Sequence, residues 1–370
     1  MSVSLKTFFQ DLQKRGITAN VANEEKFYQL KPEEKVVYLG IDCTSENLHI
    51  GHLFQIIQTI RFAKEGFTVL LVLGGATSKI GDPSDKLKER PQLKTEELNK
   101  YYQAIKKQIT RLVIRPPIPE IKKEIDYSPL ESFYPDNPQL LDKVYQVLKI
   151  KKEDSAEKKW ESYLNYVWPL KENNFRILNN DNWLGKLTVI DFSKIGQSIS
   201  VNYLLSKETI KQRVENPKAS LSFLAFSYSL LQAYDFYYLY ENYNCHGQLG
   251  GSDQWGNLTT GLKLIHGFYP ENKTFVLTWN LLVDKDGRKL SKSEGGKKLL
   301  LNGEKKDFYD FFRNMPDEQA KIYIKQFTFL EEKQVNELLK LNNPPKLRIL
   351  QWVLYELIYW LNYGEIKKNN

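Results

Sequence analysis

Cysteine is almost missing: Cys43 and Cys245 are the only two in 370 residues. They have no paired spacing, so they supply neither a zinc-ligand set nor a disulfide framework. They are expected to be free thiols in a reducing compartment. Long hydrophobic runs are missing too. None approaches the roughly 20 apolar residues of a membrane-spanning helix, and no secretory leader is visible. The mildly basic, amphipathic stretch Ser4 to Gln10 reads as part of a first helix, Leu5 to Arg15, closed by Gly16. The alternative is an uncleaved organelle address. Two nucleotide signatures are also absent. The glycine-rich loop Gly74 to Pro83 lacks the Gly-Lys-Ser/Thr of a Walker loop, and no G-x-G-x-x-G fingerprint occurs.

What is present has the composition of a globular chain, 41% apolar and 26% charged. The length predicts two or three domains with a sizeable core. The formal net charge of +8 suits a polyanionic partner without identifying one.

The chain is organised around Tyr38-Leu39-Gly40-Ile41-Asp42, running into His49-Ile50-Gly51-His52. Lys35 to Ile41, with β-branched and aromatic residues, predicts a buried strand. A polar turn then leads into a helix from Ile50 to about Glu65. His49 and His52 are three apart and share a face. Free N–H groups and the positive dipole end favour an anion there, and Gly51 leaves room for a ligand to approach. The plainer alternative is that both histidines satisfy the helix terminus.

Thr68 to Leu73 predicts a second apolar strand, so strand, helix and strand form a βαβ unit with a parallel sheet. The loop Gly74 to Pro83 follows the second strand, where open α/β sheets hold ligands. A helix is expected over 94–112. From about 113 to 172 the composition becomes rich in Tyr, Pro, Lys and Glu, near charge balance. It reads as an insertion with helices at 138–149 and 155–166, and no role is legible in it.

Core-like sequence resumes with a strand at 175–178 and helices at 189–195 and 201–214. In the helix from Phe223 to Tyr243, Tyr228, Gln232 and Asp235 stand at i, i+4 and i+7 and share one stripe. They read as a pocket wall or as the outward polar face of an amphipathic helix. A strand, Cys245 to Leu249, leads into Gly250-Gly251-Ser252-Asp253-Gln254, suited to a nucleotide, with Asp253 placed for ribose hydroxyls. Strands at 274–279 and 281–283 precede an exposed turn carrying Lys289-Leu290-Ser291-Lys292-Ser293. Beyond Leu301 four helices are expected, at 306–313, 317–326, 331–341 and 345–363. The fold class is therefore α/β. A Rossmann-like parallel-sheet domain, 1–300, carries the insertion, and a small all-helical domain follows over 301–370.

The histidine pair and the distant lysine turn resemble the two signatures of class I aminoacyl-tRNA synthetases. Further pieces narrow the resemblance: Gly74-Gly75-Ala76-Thr77 with Gly81-Asp82-Pro83-Ser84, Tyr228-x3-Gln232-x2-Asp235, and Gln248-x-Gly-Gly-Ser-Asp-Gln-Trp-Gly-Asn257. With Tyr38-x-Gly-x-Asp42 they are similar to the bacterial-type, mitochondrial-like tyrosyl-tRNA synthetases over nearly everything except 113–172. That resemblance implies ligation of L-tyrosine to tRNA(Tyr) through tyrosyl-adenylate, with ATP as substrate, Mg2+ accompanying it, and no resident metal or tightly bound cofactor.

By the same resemblance, Tyr38 and Asp235 would hold the phenolic hydroxyl of tyrosine. Asp82, Tyr228 and Gln232 would hold its ammonium, Thr77 and Gln248 would shape the pocket, and Gln254 would orient the carboxylate. Gly40, Asp42, Gly251 and Asp253 would meet ATP, with Leu281 and Leu282 beside the adenine. His49 and His52 would stabilise the γ-phosphate side. Lys86, Arg90, Lys289, Lys292 and Ser293 would act on the phosphates from loops.

Two departures stand out. Members usually continue into a C-terminal RNA-binding domain, whereas this sequence stops after the helical region, and the insertion has no counterpart. These features leave open a second reading, a synthetase-derived structural or RNA-binding subunit of a larger assembly. A tryptophan-specific relative is disfavoured because an indole has no hydroxyl for Tyr38 and Asp235. A homodimer with Phe223 near its interface is implied, with no membrane partner. The location implied is the mitochondrial matrix or, alternatively, the cytoplasm of an AT-rich bacterium.

Overall fold

The computed structural model describes residues 4–82, 94–113, 138–167, 174–216, 221–283, 290, 299–343 and 347–363. Lys86, Arg90, Lys289, Lys292 and Ser293 lie outside the described residues, as do 114–137 and 168–172 of the insertion expected at about 113–172. The chain forms two compact units. The first comprises Met1–Asn47, Arg61–Thr110 and Asn174–Leu281, and the second Leu48–Ile60, Arg111–Asn173 and Leu282–Asn370.

The first unit is built on a six-stranded sheet. Its strands are β1 (Thr18–Ala22), β2 (Val36–Asp42), β3 (Thr68–Gly74), β4 (Phe175–Asn179), β5 (Gly247–Gly251) and β6 (Phe275–Trp279), ordered β1-β6-β5-β2-β3-β4. All neighbours run parallel except β1, which is antiparallel to β6. Tyr38 lies opposite both Leu70 and Gln248, and strand alternation puts these side chains on one face. There Tyr38, Leu70, Val72 and Val276 pack with Phe236 and Leu239 of the helix Phe223–Tyr243 and Leu258 and Ile265 of the helix Trp255–Phe268. Val37, Val69 and Phe275 belong to the other face. Phe275 meets Phe27 at 4.9 Å between ring centroids, and Phe8 meets Phe62 edge-on at 5.0 Å.

The predicted strands at 35–41, 68–73, 175–178 and 274–279 form. The fifth forms two residues later than expected, because Gly247 to Gly251 are flanked by β2 and β6 and a glycine run in mid-sheet is held by its neighbours. β1 carries no sequence signal: it is short, small-residued and half-buried at the sheet edge. Leu281 to Val283 adds no strand to the sheet. The single helix expected at 201–214 is two, Val201–Leu205 and Glu208–Val214, parted where Lys207 turns extended at φ −69, ψ 130.

The second unit holds the start of the helix Ile50–Lys64, the helices Pro138–Val147 and Ala156–Val167, and four more: Lys305–Arg313, Asp317–Phe327, Glu332–Leu341 and Ile349–Tyr363. The helices Pro138–Val147 and Ala156–Val167 pack on Glu332–Leu341 and Ile349–Tyr363. Leu141, Val144, Tyr145, Leu148, Tyr163 and Leu164 are buried there. No helix among the described residues is long and apolar enough to cross a membrane.

Candidate active site

In the first unit, strand β2 ends on Asp42 and strand β3 ends on Gly74, its parallel partner. Carboxyl ends of adjacent parallel strands are where open sheets present ligand groups. Asp42 is engaged on both oxygens: Thr77 Oγ1 donates to Oδ1 at 2.7 Å, and the Tyr228 hydroxyl donates to Oδ2 at 2.8 Å. Gly74 is glycine for a reason of space. A Cβ there would lie 2.2 Å from Asp42 Oδ1 and 2.5 Å from Thr77 Oγ1.

Asn180, fully buried just past β4, joins this network. Its Oδ1 accepts from the Ala76 N–H at 2.9 Å, and its Nδ2 donates to Thr77 Oγ1 at 3.0 Å and to Asp235 Oδ2 at 3.1 Å. The Trp183 indole donates to the other oxygen, Asp235 Oδ1, at 2.7 Å and stacks on Tyr238 at 4.7 Å. Asn180 and Trp183 belong to none of the sequence motifs above. The signal was the run Asn179-Asn180-Asp181-Asn182-Trp183, polar and aromatic, placed directly after a strand.

The helix Phe223–Tyr243 turns its polar stripe inward. Tyr228 and Asp235 are buried at 5% exposure each, and Gln232 is half-buried. That excludes the outward-facing alternative. Tyr38 lies behind them, buried against Phe236, its hydroxyl 3.5 Å from the Gln232 carbonyl oxygen. Gln248 stands beside it with a buried Oε1 that has no hydrogen-bond partner among the described residues. At the far end, Gln254 Nε2 donates to Asp82 Oδ2 at 2.7 Å, and Asn257 Nδ2 donates to Gln254 Oε1 at 3.1 Å. Asp253 occupies the single turn Ser252–Gln254 after β5, with Gly251 ending that strand and Leu281 near it. Gly40 is on β2, two residues before Asp42.

The electrostatics follow from burial. Removal from water pushes the Asp235 carboxyl up to about 7, Asp42 adds repulsion, and the Asn180 and Trp183 donors pull the other way. Tyr38 and Tyr228 are raised well above the ordinary phenol value by burial, with nearby carboxylates adding to it. Both phenols are therefore neutral hydrogen-bonding groups. A cluster of several carboxylates, two phenols and amides suits a ligand carrying a cation and a hydroxyl. Cys43 is buried beneath it, its thiol raised to about 12, so it is an inert neighbour.

In the second unit, His49 Nδ1 accepts from the Gly51 N–H at 3.1 Å, and His52 Nδ1 accepts from the His49 N–H at 3.2 Å. The rings lie 3.9 Å apart. Both histidines thus do satisfy the helix terminus. In the neutral tautomer this assigns, the ring proton sits on each Nε2 as a donor. Gly51 makes room for the His49 ring rather than for a ligand: a Cβ there would sit 2.9 Å from His49 Cε1. The segment is fixed by Leu299 to Leu301. Ile50 N donates to the Leu299 carbonyl and Leu301 N to the Leu48 carbonyl, each at 2.9 Å. Leu282 is buried in this unit, and its carbonyl accepts from Leu290 N at 2.9 Å.

A family model described as tRNA synthetases class I (W and Y) matches residues 31–117 and 137–370, so of the stretch 113–172 expected to have no counterpart only 118–136 falls outside the match. The tyrosine–tRNA ligase of Mycoplasmopsis synoviae is 36% identical over 355 residues, 94% of this chain and 71% of that protein. Tyrosine–tRNA ligase 1 of Bacillus subtilis is 34% identical over 367 residues, 97% of this chain and 74% of that protein. Among solved structures, a C-terminally truncated mitochondrial tyrosyl-tRNA synthetase of Aspergillus nidulans matches with TM-score 0.69 at 23% identity, covering 96% of this chain and 90% of that one. This last likeness is one of fold.

Proposed function

The chain belongs to the class I tRNA synthetases of the tryptophan and tyrosine type, and from that premise we propose that it ligates tyrosine to tRNA(Tyr). The observation that carries the choice of tyrosine is Asp235. Its buried carboxylate is held by Trp183 and Asn180 beside Tyr38, at the base of a pocket with Tyr228 and Gln232. That arrangement can receive a phenolic hydroxyl, which donates to the carboxylate beside the Tyr38 phenol, and the tyrosine–tRNA ligases similar to this chain favour the same choice.

Asp235 and Tyr38 hold the substrate hydroxyl. Tyr228, steadied by Asp42, joins Gln232 and Asp82 at the substrate ammonium, and Thr77 and Gln248 shape the walls. Gln254, bonded to Asp82, orients the carboxylate, which attacks the α-phosphate of ATP and releases pyrophosphate. Asp253 and Gly251 take the ribose, with Gly40 on the ATP side and Leu281 and Leu282 beside the adenine. His49 and His52 donate from Nε2 toward the phosphates, and Lys86, Arg90, Lys289, Lys292 and Ser293 assist from loops. No protein nucleophile is needed, because positioning and charge stabilisation suffice for phosphoryl-type transfer. Magnesium is read as arriving on the triphosphate of ATP.

Transfer to tRNA has its own support in the first unit. The Lys207 and Lys263 ammonium groups each lie 4.0 Å from the centre of the Tyr203 ring. Lys207 also bonds Thr259 Oγ1 at 2.9 Å, and among the described residues neither lysine is paired with a carboxylate. An uncompensated pair of this kind suits an RNA phosphate. We read 301–370 as the anticodon-binding-type domain, the assembly as a homodimer, and the compartment as the mitochondrial matrix, with an AT-rich bacterium as the alternative.

The test is tyrosine-dependent exchange of pyrophosphate into ATP, followed by charging of bacterial, mitochondrial and cytosolic tRNA pools. Exchange with tyrosine and not with tryptophan is expected, and no exchange with tyrosine would sink the assignment.

A further inference from the structure

Besides packing on Glu332–Leu341 and Ile349–Tyr363, the helices Pro138–Val147 and Ala156–Val167 are hydrogen-bonded to one corner of the second unit, the turn Thr328 to Glu331 between the helices Asp317–Phe327 and Glu332–Leu341. Two ends converge there. Phe329 N donates to the carbonyl of Tyr166, in the last turn of Ala156–Val167, at 2.8 Å. Gln334 Nε2 donates to the carbonyl of Val147, the last residue of Pro138–Val147, at 2.8 Å and approaches the Tyr166 hydroxyl at 3.4 Å. The Tyr166 hydroxyl in turn donates to the Leu148 carbonyl. Gln334 is 6% exposed, and its Oε1 accepts from Glu331 N at 3.0 Å, so one buried amide ties the helix pair to the corner.

The other side of the same corner holds the histidine helix. Gln58 Nε2, fully buried, donates to the Gln326 carbonyl at 3.1 Å. Phe54 packs on Phe327 with ring centroids 5.5 Å apart. Phe54 and Gln58 stand on the helix whose first turn carries His49 and His52. A shift of the corner therefore moves that helix, because packed interiors transmit displacement and do not absorb it.

We propose that the helix pair 138–167 is a positioning element for the activation step, acting through Gln334, Tyr166 and the 328–331 corner on the imidazoles of His49 and His52. This rests on the reading of the chain as a tyrosine–tRNA ligase. Gln334 and Tyr166 are positioning residues that need not touch substrate. The chain has four histidines, so their ring signals can be followed individually in the full-length protein labelled with 15N-histidine.

In Gln334→Ala the ring signals of His49 and His52 should move while those of His246 and His266 stay. The kcat of pyrophosphate exchange should fall at least about fivefold, with the KM for tyrosine within about twofold, since the amino-acid pocket belongs to the first unit. Unmoved His49 and His52 signals in a folded variant overturn the proposal, as do moved signals with unchanged kcat. If Gln334→Ala does not fold, Tyr166→Phe, which removes only a hydroxyl, decides by the same readouts. A wild-type protein without exchange activity would remove the functional reading and leave the histidine shifts to decide the positioning.

Discussion

At Asp235 two donors, the Trp183 indole and the Asn180 amide, offset part of the cost of burying a carboxylate. The offset is incomplete, since the group titrates at about 7. An acid whose folded value is raised binds its proton more tightly folded than unfolded. This group therefore favours the fold at acid pH and costs stability as pH rises from about 4 through about 7. The ionised form is the better acceptor for a phenol, so tyrosine binding should weaken about tenfold between pH 8 and pH 6, in proportion to the ionised fraction. Isothermal calorimetry across that range checks it, and a flat profile would count against Asp235 as the acceptor. Asp235→Asn should abolish the pH dependence and cost about 2–3 kcal/mol of tyrosine binding. His49 and His52 show a second lesson at this scale: the reading of them as terminus caps and the reading of them as phosphate donors are compatible, because Nδ1 serves one and Nε2 the other.

At the scale of elements, the helix Phe223–Tyr243 was legible to the residue, including its start, where the Ser222 hydroxyl accepts from Ala225 N at 3.1 Å. Strands β2 and β3 were equally plain, since continuous β-branched and aliphatic runs leave few alternatives. The break at Ser206 and Lys207 was not, because both flanking segments are apolar at helical spacing and the interruption has no Pro or Gly. That break places Lys207 against Tyr203 and Thr259. Lys207→Glu should raise the KM for tRNA in charging at least about tenfold while tyrosine-dependent pyrophosphate exchange stays near wild type. Equal loss in both assays would show that the lysine acts on the pocket and not on RNA.

At the scale of the whole molecule, the first unit leaves apolar side chains in the open along 189–223: Val189 is 83% exposed, Ile190 68%, Val201 60% and Phe223 76%. Under the homodimer reading these side chains would lie in the subunit interface. Phe223→Glu with Ile190→Glu should convert a dimer to a monomer in analytical ultracentrifugation. A wild-type monomer at micromolar concentration would refute the dimer reading. The segment 138–167 makes a second demand at this scale. Leu141, Val144, Tyr145, Leu148, Tyr163 and Leu164 are all buried within the second unit, and burying each such side chain stabilises by about 1.5–3 kcal/mol. Excising 113–172 should therefore leave that unit unfolded or aggregating on thermal denaturation. An excised protein as stable as the whole would mean that the segment is a mere appendage.

The sequence by itself determined the strand–helix–strand start, the parallel sheet, the long helix with Tyr228, Gln232 and Asp235 on one stripe, and the site positions on loops after strands. All of these are local patterns, written in hydrophobic period, glycine placement and capping residues. Only the tertiary structure decided that Asn180 and Trp183 clamp Asp235, that Gly51 accommodates the His49 ring, and that the helices Pro138–Val147 and Ala156–Val167 are bonded to the corner holding the histidine helix. Those facts join residues up to 268 positions apart, as in the bond from Gln58 to Gln326. Such partnerships follow from which surfaces bury each other when the chain collapses, and a local sequence pattern carries no record of that choice.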